Sequence, residues 1–157
     1  MDMPIAHSRK GHRSLRRGRV SMPGQVYLVT TCTHQRLPIF KDFTLARQAC
    51  TSFQDPSLLG DARMLAWVLM PDHVHWLIQL GNSFDLSELI KRLKSSSAYQ
   101  VNQCLHQEAI WERAFHDRAL RKEEGVIEAA RYVIANPLRA GLVQNVGEYP
   151  FWNSAWL

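Results

Sequence analysis

The stretch from residue 64 to residue 82 restricts the fold of this chain more than any other. Residues 64–70 form a continuous apolar run, which is typical of a buried strand. Pro71 and Asp72 then favour a tight turn into a second strand over residues 73–80. A membrane-spanning helix needs about 20 apolar residues, so this run predicts a strand of a soluble domain and no membrane partner.

The remaining elements follow an order that is typical of one fold class. The sequence predicts a strand over residues 26–33, a helix over 44–53, a long helix over 86–105, a fourth strand over 115–121 and a helix over 123–135. Pro137 is expected to end the last helix. The order β-α-β-β-α-β with an extra C-terminal helix predicts an α+β, ferredoxin-like split antiparallel sheet. The aromatic side chains of residues 148–157 are expected to form a closing flap.

Composition fits one folded domain preceded by a basic arm. Of 157 residues, 46% are apolar and 21% charged, which excludes fibrous and disordered classes. The formal charge of +5 resides in the first part of the chain, so we predict an arm over residues 1–22 and a domain over residues 23–157. The candidates for contacts with nucleic-acid phosphates are the cations of the arm: Arg9, Lys10, Arg13, Arg16, Arg17 and Arg19. A tail that only aids solubility is the alternative.

The three cysteines, Cys32, Cys50 and Cys104, are odd in number and widely spaced. This spacing argues against a disulfide framework and predicts free thiols in a reducing compartment. The basic N-terminal residues lack the apolar run of a secretory signal, so they are expected to remain in the mature protein. We therefore expect a cytoplasmic protein.

His73 and His75 have the spacing of two ligands in a metal site. Because side chains alternate along a strand, both imidazoles are expected on one face, with Val74 and Trp76 on the other. Same-face residues lie about 6.5–7 Å apart along a strand, so two such imidazoles can share one divalent metal ion. Two ordinary half-buried histidines would give the same pattern. Two ligands bind a metal poorly, so a third donor would have to come from another element.

Two tyrosines on the predicted helices are candidate nucleophiles. Asn136 follows Tyr132 by four residues and Gln103 follows Tyr99 by four, so each tyrosine shares a helix face with an amide. Both pairs lie away from the apolar stripe of their helix. A tyrosine that covers a second hydrophobic surface is the structural alternative. Helical periodicity alone does not separate the two candidates.

Other residues have both a binding and a structural explanation. Trp111 and His116 can stack on unpaired bases or belong to the core, and the large apolar surface of Trp111 favours the core. Lys91, Arg92 and Lys94 can contact phosphates or form a solvated helix face.

Five stretches in a fixed order carry a family resemblance. They are GQVYLVT (24–30), RLPIF (36–40), AWVLMPDHVH (66–75), WERAFHDRALR (111–121) and YVIANPLRAGLV (132–143). They extend over nearly the whole predicted domain and resemble the REP-associated tyrosine transposases, relatives of the HUH-type, IS200-like transposases that process single-stranded DNA. The Arg- and Ser-rich arm before Gly24 is longer than the family core requires.

The resemblance implies a site and a reaction. In the family, the tyrosine that opens the Tyr-x-x-x-Asn-Pro stretch is the nucleophile, which maps to Tyr132 and not to Tyr99. The resemblance also implies His73, His75 and Asn136 as ligands of a divalent metal ion, Mg²⁺ or Mn²⁺. The implied substrate is single-stranded DNA with hairpin repeats, cleaved to a 5′-phosphotyrosine and a free 3′-hydroxyl. No nucleotide cofactor is implied, and the sequence fits a monomer and a homodimer equally well.

Two alternatives belong to other functional classes. A non-catalytic, domesticated relative would bind repeat hairpins through the arm, although such a protein would need neither the histidines nor the tyrosine. A small zinc protein would use Cys32, His34, His73 and His75, since each pair has the spacing of one strand face.

Deleting residues 1–19 is expected to weaken binding to a single-stranded hairpin DNA and to flatten the slope of log affinity against log salt concentration. Each phosphate contact that is lost removes about 0.7 from that slope. Fluorescence-anisotropy titrations at several salt concentrations measure both quantities. An unchanged affinity and slope would show that the arm is only a solubility tail.

Overall fold

An antiparallel sheet organises the described residues, which are 21–121 and 124–156 in the computed structural model. Its strands are β1 (Val26–Cys32), β2 (Arg63–Met70), β3 (His73–Gln79), β4 (His116–Ala119) and β5 (Trp152–Ser154). They lie in the order β4-β1-β3-β2-β5, and each neighbouring pair is antiparallel. The predicted split arrangement is therefore confirmed, with β1 and β3 side by side. The six cations of the predicted arm lie outside the described residues.

The helices begin where side chains cap them. They are α1 (Phe43–Cys50), α2 (Pro56–Leu59), α3 (Leu86–Asn102), α4 (Val126–Ile134) and α5 (Asn136–Arg139). α1 begins one residue earlier than predicted, because the Asp42 carboxylate accepts a hydrogen bond from the backbone N–H of Leu45 at 3.0 Å. The Asp85 carboxylate caps α3 in the same way through the N–H of Glu88 at 2.8 Å.

The helix α4 ends before Pro137, as predicted, and Pro137 itself lies inside a new helical turn. α4 ends at Ile134, and Ala135 has φ −82° and ψ −1°. The chain then continues into the single turn α5, where Pro137 occupies the first turn. A proline is tolerated there because the first N–H groups of a helix have no intrahelical acceptor.

The predicted aromatic flap is wrong in part, because three of its residues form β5. This strand pairs with β2, where Trp152 lies opposite Val68 and Ser154 lies opposite Ala66. Without β5, the outer edge of β2 would present unpaired N–H and C=O groups. A strand of three residues is too short for an alternating pattern to be visible in the sequence.

The sheet separates two apolar layers. On one side, which we call the α3 face, residues such as Val74 and Trp76 pack with α1 and α3. On the other side, the α4 face, residues such as Leu77 pack with Ala130 and Val133 of α4. Each strand therefore contributes alternate side chains to two different cores.

Two cations of the long helix, Arg92 and Lys94, have structural partners. Arg92 donates hydrogen bonds to the carbonyl oxygens of Leu58 at 3.0 Å and Ser57 at 2.9 Å. The Lys94 ammonium donates to the carbonyl oxygens of Glu112 and Arg113. These two side chains are thus tied to the fold, which differs from the solvated helix face given as the structural alternative.

Trp111 belongs to the core of the α3 face, as its large apolar surface predicts. Its side chain is 7% exposed, and its ring centroid lies 5.3 Å from that of Phe40. Its indole N–H donates a hydrogen bond to the buried Ser97 hydroxyl at 2.9 Å. His116, by contrast, is exposed on β4.

Replacing Ser97 by alanine is expected to lower the free energy of unfolding by about 1–3 kcal/mol, because the buried indole N–H of Trp111 loses its acceptor. Ser95→Ala is the matched control: this serine is exposed on the same helix, and its removal should change stability by less than about 0.5 kcal/mol. Urea unfolding measures both values. Equal effects in the two variants would show that the Trp111–Ser97 bond contributes nothing.

Candidate active site

His73 and His75 lie next to each other on the α4 face. The turn at Pro71 and Asp72 starts β3, and the alternation of the strand then places both imidazoles on the same side as Leu77. Their ring centroids are 4.9 Å apart and the ring planes make an angle of 81°. The predicted convergence of the two imidazoles on one face is therefore present in the fold.

A hydrogen bond from the neighbouring strand fixes the ring of His75. Thr30 of β1 lies directly opposite His75, and the Thr30 hydroxyl and His75 Nδ1 are 2.8 Å apart. Burial, followed by the charges of His73 and Arg139, lowers the pKa of His75 to about 4. His75 is therefore neutral near pH 7, which is the form of histidine that binds a metal ion.

A carboxylate orients the other histidine. His73 Nδ1 lies 2.8 Å from Asp72 Oδ1, and Arg36 donates from Nε to Asp72 Oδ2 at 3.2 Å. Burial raises the pKa of Asp72, but the hydrogen bond with His73 and the charge of Arg36 outweigh it, so the pKa lies below its usual value. Both histidines thus have Nδ1 engaged, and the other ring nitrogen of each remains for a ligand, as in metal sites with an oriented imidazole.

The loop that supplies Arg36 has an unusual backbone. Gln35 and Arg36 have φ of 54° and 55°, a left-handed conformation that residues other than glycine rarely adopt. Glu112 accepts a hydrogen bond from the backbone N–H of Gln35 at 2.6 Å, and Arg36 also donates to the Cys32 sulfur at 2.9 Å. These contacts hold the loop in its strained form beside the histidine pair.

The donor set fits two ligand positions of a divalent metal ion. Within residues 21–121 and 124–156, no group of three or more histidine, cysteine, aspartate or glutamate side chains is arranged to hold a metal ion. The alternative zinc set is therefore not assembled: the His34 ring faces Glu112, with Nδ1 3.9 Å from Oε1. A third protein donor would have to be an amide such as that of Asn136, which begins α5 one turn after Tyr132. The Asn136 amide forms no hydrogen bond with a described residue.

The two candidate tyrosines lie on opposite sides of the sheet. Tyr99 belongs to α3 and is 66% exposed, whereas Tyr132 belongs to α4 and is 58% exposed. α4 buries Ala130 and Val133 against the sheet, so Tyr132 remains accessible. Of the two candidates, only Tyr132 is therefore on the helix that covers the histidine face.

Tyr132 also lines a cavity of about 350 Å³ on the α4 face. Leu28 of β1 lies in its wall, two residues before Thr30 and on the same side of the strand. Arg118 is a further wall residue and makes two hydrogen bonds of 2.8 Å with the Glu124 carboxylate. The cavity connects the region of Tyr132 to the strand that orients His75.

Arg139 contacts the Tyr132 ring and acts electrostatically on His75. Its guanidinium carbon is 3.8 Å from the centroid of the Tyr132 ring, and its charge acts on His75. Sequence reasoning missed this residue, together with the positioning residues Thr30 and Asp72. The sequence could have indicated the role of Asp72, because this residue directly precedes His73. It could not indicate the role of Thr30, because only the pairing of β1 with β3 places Thr30 opposite His75.

Comparison with known proteins identifies the family. A family model described as IS200-like transposase matches residues 22–133. The chain belongs to the IS200-like transposase family. Tyr132, His73 and His75 lie within the matched region, and Asn136 and Arg139 lie beyond its end.

Two curated relatives are named as REP-associated tyrosine transposases. The REP-associated tyrosine transposase of Escherichia coli K12 is 28% identical over 88 residues, which are 55% of this chain and 50% of that protein. A Haemophilus influenzae protein that carries the same family name is 26% identical over 98 residues, with 55% of this chain and 56% of that protein covered. The chain thus spans about half the length of the curated relatives it matches.

A solved structure shares the fold. It is a REP-associated tyrosine transposase bound to a REP hairpin, and it aligns with a TM-score of 0.66, 22% identity and coverage of 85% of this chain and 79% of that chain. This likeness confirms the α+β antiparallel architecture. No helix among the described residues is long and apolar enough to span a membrane.

Proposed function

We propose that this protein is a metal-dependent single-stranded DNA endonuclease and strand transferase that acts at repeat hairpins. Tyr132 is the nucleophile, and the intermediate is a 5′-phosphotyrosine. The observation that carries the proposal is that α4 presents Tyr132 on the sheet face that holds the histidine pair. Arg139 contacts the Tyr132 ring, and its charge acts on His75. Membership in a transposase family supports the same reaction class.

The histidines would hold a divalent ion, Mg²⁺ or Mn²⁺, through the ring nitrogens that face away from Thr30 and Asp72. Asn136 would supply a third, neutral oxygen ligand. When bound, such an ion neutralises a non-bridging oxygen of the scissile phosphate and orients phosphorus for in-line attack. Thr30 and Asp72 keep the two rings in place, so that the ligand positions exist before the ion arrives.

The chain's own nucleophile performs the transfer. The Tyr132 oxygen loses its proton and forms a bond to phosphorus, while the bond from phosphorus to the 3′ oxygen breaks and that oxygen becomes a hydroxyl. The ester is conserved as a phosphotyrosine, so a 3′-hydroxyl can reverse the step without a nucleotide cofactor. Cleavage and strand transfer are therefore the same reaction in opposite directions.

Single-stranded DNA beside a hairpin is the substrate that suits this site. Tyr132 is exposed on a helix, so an extended strand can reach it more easily than the backbone of a continuous duplex. The structural relative with a bound REP hairpin supports the choice of a hairpin partner. The cations of residues 1–20 would contribute sequence-independent phosphate contacts.

Replacing Tyr132 by phenylalanine is expected to abolish a covalent protein–DNA adduct while hairpin affinity stays within about threefold, because only the attacking oxygen is lost. Tyr99→Phe is the matched control, since it removes the same atom from an exposed tyrosine on the opposite side of the sheet. The assay incubates each protein with labelled single-stranded hairpin DNA and Mg²⁺ or Mn²⁺ and separates adducts on a denaturing gel.

Adduct in the Tyr132 variant and its loss in the Tyr99 variant would refute the nucleophile assignment. Hairpin binding by the wild-type protein without any adduct, with and without added metal, would instead establish the non-catalytic hairpin-binding alternative.

A further inference from the structure

We infer that Arg139 supplies the positive charge that stabilises the transferring phosphate and the attacking oxygen of Tyr132. This inference rests on the proposed function and adds a residue to it. The guanidinium carbon lies 3.8 Å from the centroid of the Tyr132 ring. A phosphate that is attacked by the Tyr132 oxygen must approach the edge of this ring, so it would come within reach of the guanidinium.

The backbone holds Arg139 in this position. The residue ends α5, and its N–H donates to the carbonyl oxygen of Ala135 at 3.0 Å. The buried Pro137 anchors the turn, and its carbonyl oxygen accepts a hydrogen bond from the N–H of Leu142 at 2.9 Å. Gly141, at φ +75°, lets the chain reverse at this point. Arg139 follows Tyr132 by seven residues across the break at Ala135, and helical side chains point back toward the N-terminus.

The guanidinium of Arg139 forms no ion pair with a carboxylate of the described residues. No aspartate or glutamate of residues 21–121 and 124–156 forms an ion pair with it. Other arginines near the site differ: Arg36 pairs with Asp72 and Arg118 pairs with Glu124. A cation without a carboxylate, placed against an exposed tyrosine, is available to an incoming anion.

A purely structural role explains these observations less well. Tyr132 is 58% exposed with Arg139 stacked on its ring, so this contact does not bury the tyrosine in the core. Arginine binds phosphate through two parallel N–H groups and retains its proton, so it acts here as a fixed charge and not as a proton acceptor.

Arg139→Gln is expected to lower the single-turnover rate of adduct formation at saturating hairpin DNA by about 100-fold, the loss typical of removing one charge-stabilising group. The dissociation constant of the hairpin should change by less than about threefold, as for the loss of a single phosphate contact. Arg139→Lys should recover at least about a tenth of the wild-type rate, because it retains the charge without the planar geometry. Arg131→Gln is the matched control: it removes one exposed charge from α4 and should leave the rate unchanged.

Three results would overturn the inference. One is an Arg139→Gln rate equal to that of the Arg131→Gln control. Another is an effect confined to the dissociation constant, which would make Arg139 an ordinary phosphate contact of the ground state. Equal losses in the glutamine and lysine variants would show that planar stacking matters and the charge does not. A wild-type protein that forms no adduct would refute the proposed function itself, and the inference with it.

Discussion

The pairing of β1 with β3 is the constraint on which the candidate site depends. This register places Thr30 opposite His75 and sets the hydroxyl 2.8 Å from the imidazole. A slip of one residue would turn every side chain of β3 to the other face. Val74 and Trp76 are fully buried on the α3 face. Such a slip would remove both side chains from that core and place the two histidines in it. The apolar core on one side of the sheet thus fixes the chemistry on the other.

The helical segment from α4 to α5 supplies the other residues of the site, Tyr132 and Arg139, neither of which is buried in the core. Ala130 and Val133 attach α4 to the sheet, and Tyr132 lies between them in sequence and points to a more exposed side. The break at Ala135 and the proline turn after it bring Arg139 back over the Tyr132 ring. The nucleophile that we propose is therefore accessible because the helix needs only a narrow apolar stripe for packing.

The sequence predicted those features that repeat along the chain. Alternation in β3 indicated that His73 and His75 share a face, and the structure confirms this placement. Helical periodicity treated Tyr99 and Tyr132 alike, because it says nothing about which face of the sheet a helix covers. Thr30 carries no local signal, since its role arises from a partner 45 residues away.

Short or irregular elements escaped prediction for related reasons. The strand β5 has three residues, too few for a period to appear, and its formation depends on the open edge of β2. Pro137 marked the end of α4 correctly, but the local rule does not show which residues form the helical turn that follows Ala135. Arg139, whose position depends on that turn, was missed for the same reason. Strand spacing made His73 and His75 candidate metal ligands and the family resemblance added Asn136, whereas the fold shows only that the two histidines are placed to act together.

The central claim is that the histidine pair and Tyr132 form one site. Anomalous diffraction from crystals soaked in Mn²⁺, with hairpin DNA bound to the Tyr132→Phe variant, tests this claim most directly. We predict one Mn²⁺ ion bound by the imidazoles of His73 and His75, with the scissile phosphate between the ion and the ring of residue 132. An ion held elsewhere, or a phosphate positioned beside Tyr99 on the opposite side of the sheet, would contradict the account.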